Sequence, residues 1–96
     1  MSEAFNKAVE EVKNFTIRPR DDILLDLYAL FKQVTVGDVN TSRPFMLDFK
    51  GKAKWDAWKQ LKGLSKEEAE SKYIWLVDNI RHRYSNIRHD SDLIDN

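Results

Sequence analysis

The residues that most oppose regular backbone are few in this 96-residue chain: Pro19, Gly37, Pro44, Gly51 and Gly63 are its only prolines and glycines. They fall between, or at the edges of, stretches in which apolar side chains recur every three or four residues. That spacing marks one face of an α-helix, and no alternation of period two competes with it. The expected fold is therefore all-α, four helices in one domain. The first segment, about 3–15, carries Phe5, Ala8, Val9, Val12 and Phe15 on one stripe, and Pro19 ends it. Asp21 and Asp22 open the second, about 21–36, as caps and as negative charge suited to a helix start. Its apolar residues, Ile23, Leu24, Leu25, Leu27, Tyr28, Leu30, Phe31 and Val34, cover more than one face. Such a helix is either a central core helix or covers something besides the core.

Residues 37–50 form a long connection rich in turn formers. A third helix, about 51–61, presents Ala53, Ala57, Trp58 and Leu61 and meets a C-cap at Gly63. Ser65-Lys66-Glu67-Glu68 reads as a capping box opening a fourth helix that runs to about Tyr84, with Ala69, Tyr73, Leu76, Val77 and Ile80 inward. Residues 87–96 are polar and read as a flexible tail beyond a domain at 1–86.

Composition excludes several classes of function. There is no cysteine, so disulfides, thiolate metal sites and thiol catalysis are ruled out. Sixteen basic and sixteen acidic residues cancel, which argues against a general polyanion binder. No apolar run is long enough to span a bilayer and no leader pattern opens the chain, so the expected setting is cytoplasmic and soluble. The sequons at Asn14 and Asn40 should then stay unused. His82 and His89 offer no fixed metal geometry, and neither has the context of a hydrolase serine. The tryptophans, Trp55, Trp58 and Trp75, read as packing residues.

The net charge hides a local excess. Over 43–62, six basic residues (Arg43, Lys50, Lys52, Lys54, Lys59, Lys62) face two acidic ones (Asp48, Asp56), which leaves +4. Lys50 and Lys54 share one side of a helix start, where free N–H groups also attract anions. The spacing is not a Walker A loop, because Met46 and Ala53 stand where glycine and Ser/Thr are required. Tyr28 and Lys32, also four apart, set a phenol beside an ammonium on the over-apolar second helix. These residues read either as solvated surface or as a site for a ligand with an anionic head and an apolar tail.

Three blocks, YALFKQ at 28–33, TVGDVNTSRP at 35–44 and MLDFKGKAKWDAW at 46–58, closely resemble the acyl-CoA-binding protein family. The resemblance runs from about Phe5 to Tyr84. It implies an up-down four-helix bundle and a non-enzymatic, monomeric cytoplasmic carrier of medium- to long-chain acyl-CoA esters. It implies no cofactor, no nucleic-acid partner, and transient contact with membranes or acyl-CoA-using enzymes. By resemblance Tyr28, Lys32 and Lys54 hold the adenine and ribose 3′-phosphate, Lys13 and Lys50 add head-group contacts, and Tyr73 closes the site. Val9, Leu24, Leu25 and Phe31 line the acyl channel, with Ala29 and Leu30 in the same ligand-binding set. The chain departs from the family pattern at Phe31, for a common tyrosine, at Val9, for a frequent alanine, and at Phe45, for a usual glycine. A positive φ at Phe45 would cost about 1 kcal/mol or more. Physically, a buried methylene contributes about 0.8 kcal/mol. A long acyl chain would then supply on the order of 10 kcal/mol before ordering costs, leaving the cations to select the head group. Two other readings compete: nucleic-acid binding by the +4 segment, and a protein- or membrane-docking module with Trp75 as anchor.

Overall fold

The computed structural model describes the backbone of residues 1–95 and the side chains of residues 1–83. Four helices follow in order: α1 (Glu3–Lys13), α2 (Asp21–Thr35), α3 (Phe49–Lys59) and α4 (Lys66–Asp95). Among the described residues there is no strand. Local chemistry sets most helix starts. The Ser2 side chain accepts from the Phe5 N–H at 3.1 Å, and Asp48 Oδ1 accepts from the Gly51 N–H at 2.9 Å. Ser65 forms the expected capping box: its Oγ accepts from the Glu68 N–H at 3.0 Å and donates to Glu68 Oε1 at 3.1 Å.

Three boundary expectations change. The N-cap of α2 is Arg20, which makes no side-chain cap bond, so Asp21 and Asp22 act inside the first turn, both through charge and Asp22 also by accepting from the Ile23 N–H at 2.9 Å. The cap at Asp48 starts α3 at Phe49, ahead of the glycine that marked its expected start. Helix α4 does not stop near Tyr84, because no glycine or proline follows Gly63 to end it. The expected domain edge and flexible tail at 87–96, with Tyr84 and His89, fall outside the residues whose side chains are described.

Helix α1 packs on α4, α4 on α2, and α2 on α3. The core is built from Phe5 and Ala8 of α1, Leu27, Leu30 and Val34 of α2, and Ala69, Tyr73, Val77 and Ile80 of α4. α3 joins through Trp58, which is buried and donates its indole N–H to the Gly37 carbonyl at 2.8 Å. One buried polar residue ties the loops together. Gln33 Nε2 donates to both Asp38 Oδ1 and the Leu64 carbonyl at 2.8 Å, and Asp38 Oδ1 also accepts from the Gly63 N–H at 2.9 Å. Gly63 takes φ +91°, a left-handed geometry that glycine adopts at little cost. The hub fixes the end of α2 against the turn that launches α4. Arg43 closes the long connection onto α3 through two bonds of 2.9 Å to Asp56.

Candidate functional site

Because α1 and α3 pack on different partners and not on each other, a bowl remains between them. It holds a cavity of about 980 Å³, walled by α2 and α3, with Val12 of α1, Arg18 of the first connection and Tyr73 of α4 completing it. The apolar wall comes from Leu24, Leu25, Leu27 and Phe31, and the polar rim from Tyr28, Lys32, Lys50 and Lys54. The Tyr28–Lys32 pair of α2 and the Lys50–Lys54 pair of α3 seen in the sequence thus meet at one cavity. The Lys54 ammonium lies 5.3 Å from the centre of the Tyr28 ring, and that of Lys32 lies 4.9 Å from the Trp58 ring. Both are cation–π distances. The fold thereby holds two ammonium groups beside aromatic faces at the mouth of an apolar hollow.

Tyr73 forms the floor. It is buried against Phe5, with ring centres 5.0 Å apart. Burial pushes its phenol up to about 12, so the hydroxyl stays protonated and able to donate at neutral pH. Phe31 stacks on Phe5 at 6.2 Å yet remains 37% exposed, the behaviour of a side chain that finishes the core on one edge and faces the cavity on the other.

Eight of the twelve residues expected to bind ligand line this cavity: Leu24, Leu25, Tyr28, Phe31, Lys32, Lys50, Lys54 and Tyr73. Four do not. Ala29 and Leu30 are buried and border a second, smaller hollow with Trp75. The reason is helical phase: each residue turns about 100°, so Leu30 points nearly opposite to Tyr28 and Ala29 a quarter-turn away. Val9 packs against the core from α1. Lys13 is exposed and pairs with Glu10 at 3.1 Å. The sequence reading missed Val12, Arg18, Asp21, Leu27 and Ala53. Val12 and Ala53 lay on single apolar stripes, and Leu27 was one of the apolar residues of the second helix left open between core and ligand. Asp21 was read as a cap and helix-start charge, and Arg18, which pairs with Asp21 at 2.7 Å, was not singled out. Trp75, read as a packing residue and, in the docking alternative, as an anchor, is 66% exposed. Among the described residues no cluster of three potential ligands for a metal ion occurs, and no helix is long and apolar enough to cross a membrane.

Comparison with known proteins decides the family. Residues 2–77 match the family model described as "Acyl CoA binding protein". The chain is 53% identical over 85 residues to a Drosophila melanogaster acyl-CoA-binding protein homolog, covering 88% of this chain and 99% of the relative. It is 49% identical over 84 residues to acyl-CoA-binding protein homolog 1 of Caenorhabditis elegans, covering 88% and 98%. The chain belongs to the acyl-CoA-binding protein family. Its fold agrees: the crystal structure of Oryza sativa acyl-CoA-binding protein 2 superposes with a TM-score of 0.84 at 40% identity, covering 88% of this chain and 93% of that one. As an acyl-CoA-binding protein family member the chain keeps an ordinary backbone where it departs from the pattern. Among the described residues no non-glycine residue has positive φ, so Phe45 carries no left-handed strain, and its side chain is 90% exposed.

Proposed function

We propose that this acyl-CoA-binding protein family member binds, buffers and transports medium- to long-chain fatty acyl-CoA esters in the cytoplasm, as a monomer and without catalysing a reaction. One observation carries the reading: a single cavity joins an apolar wall to a rim of three lysines and a phenol. Its volume, about 980 Å³, suits a large ligand, since pockets usually span about 300–1,000 Å³. Leu24, Leu25, Leu27 and Phe31 are assigned to the acyl chain, where burial of methylenes supplies most of the affinity. Tyr28, with Lys54 above its ring, is assigned to the adenine and Lys32, Lys50 and Lys54 to the phosphates, which they meet through charge-assisted hydrogen bonds. Tyr73 contributes a protonated hydroxyl at the base of the site. The reading assigns no nucleophile, acid or base, because a carrier needs none, and it assigns no cofactor.

Titration calorimetry with palmitoyl-CoA, CoA and palmitate tests it. Palmitoyl-CoA should bind far more tightly than either fragment, because wall and rim are then both used. Palmitate binding as tightly as the thioester would remove the head-group assignment.

A further inference from the structure

Residues 45–49 hold an unusual density of exposed apolar side chain. Phe45 is 90% exposed, Leu47 83%, Met46 77% and Phe49 71%. The segment is nonetheless a defined turn. The Asp48 N–H donates to the Phe45 carbonyl at 2.9 Å, the Lys52 ammonium donates to the Met46 carbonyl, and Asp48 caps α3. The backbone therefore holds these side chains out in water instead of letting them fold back on the core. The surrounding charge is positive. Asp56 is engaged by Arg43 and Asp48 by the helix start, while Lys50 and Lys52 flank the turn and the Lys52 ammonium rests 4.9 Å from the Phe49 ring. The whole stretch 43–62 carries +4 in a neutral chain.

We propose that this turn docks the protein on an anionic lipid bilayer, with Phe45, Met46, Leu47 and Phe49 entering the headgroup boundary and Lys50 and Lys52 facing lipid phosphates. A tip of large, exposed apolar side chains suits a soft interface that deforms around it, and an apolar face beside lysines matches the charge of an anionic leaflet. The position of the turn adds a consequence. Lys50, Ala53 and Lys54, within the first two turns of the helix that Phe49 begins, line the large cavity. Docking here brings the cavity mouth toward the leaflet from which an apolar cargo enters or to which it returns. That consequence rests on the acyl-CoA reading, whereas the docking does not.

The test is co-sedimentation of the full, ligand-free chain with phosphatidylcholine vesicles that contain phosphatidylserine, against phosphatidylcholine alone. The wild-type chain should partition onto the anionic vesicles and be released by salt. Phe45→Ser and Leu47→Ser should each weaken partitioning about tenfold, with palmitoyl-CoA affinity in vesicle-free buffer unchanged. Because the chain has no cysteine, Phe45→Cys accepts one polarity-sensitive fluorophore. Its emission should shift to the blue on adding anionic vesicles, while the same label on Trp75→Cys should not shift. Absence of wild-type partitioning, wild-type partitioning by the two serine variants, or a blue shift at position 75 and not at 45 would each overturn the proposal. Failure of the acyl-CoA reading shows only in calorimetry, so the two are separable.

Discussion

At the scale of single residues, the site depends on side chains whose ordinary chemistry is given a partner. Lys54 is exposed on α3, and what distinguishes it from the other lysines of the +4 segment is the Tyr28 ring 5.3 Å away on α2. Lys59 has a comparable position, 5.1 Å from the Trp55 ring, but it lies outside the cavity wall. Replacing Lys54 with Ala should lower palmitoyl-CoA affinity about tenfold, the range of one charge-assisted hydrogen bond to phosphate. The melting temperature should hardly move, because an exposed ammonium contributes little to folding. Calorimetry beside a thermal melt separates the two effects, and unchanged affinity would deny Lys54 its phosphate role.

At the scale of elements, the start of α3 does more than begin a helix. It presents Lys50 and Lys54 to the cavity and terminates the exposed turn at 45–49. Both depend on the Asp48 cap, and the cap depends on Gly51. A Cβ at position 51 would lie 2.3 Å from Asp48 Oδ2. The carboxylate can swing away, so Gly51→Ala should fold but lose the cap. We expect a stability loss of about 1 kcal/mol, read as a lower urea midpoint, together with weaker palmitoyl-CoA binding as Lys50 loses its fixed position. A variant with both quantities unchanged would show that α3 starts without the cap. Elements were also the level most legible in the sequence. Helical periods and breakers placed all four helices, and Ser65–Glu68 formed the box their spacing implied. Asp21 and Asp22 were misread as caps because a cap is defined by backbone geometry, which residue type only biases.

At the scale of the whole molecule, the order of packing, α1 on α4, α4 on α2 and α2 on α3, leaves the two outer helices apart and the bowl open between them. Long-range polar ties hold that arrangement, and several involve carboxylates. Hydrogen bonds from the Gly63 N–H and Gln33 hold Asp38 below its ordinary value of 3.8. The bidentate Arg43 contact does the same for Asp56, and hydrogen bonds from Ser2 do so for Glu70. A carboxyl whose folded value lies below its unfolded one stabilises the protein fully above the unfolded value, and that contribution is lost as pH falls through the folded one. Asp26 has the opposite sign, raised by burial and by Asp22, so its protonation as the pH falls relieves a penalty on the folded state. Three against one, stability should decline below about pH 4. Urea midpoints measured across this acid range should fall for the wild type, and less steeply for Asp38→Asn, whose amide oxygen can accept the same bonds without titrating. An equal slope for the two chains would exclude Asp38 from the acid response.

The sequence by itself determined the helical class, the family and the chemistry available to the site, because periodicity, breakers and the blocks at 28–33, 35–44 and 46–58 are local properties of the chain. It named most of the cavity wall for the same reason: Leu24, Tyr28, Phe31 and Lys32 share one face of a single helix. Only the tertiary structure decided which apolar face closes on the core and which stays open. That choice moved Ala29 and Leu30 away from the cavity, admitted Val12 from α1 and Arg18 from the first connection, and set the lysine of one helix over the ring of another. It also left Phe45 and its neighbours in solvent. These outcomes follow from how the helices pack against one another, and residue spacing within one helix carries no record of what lies across from it.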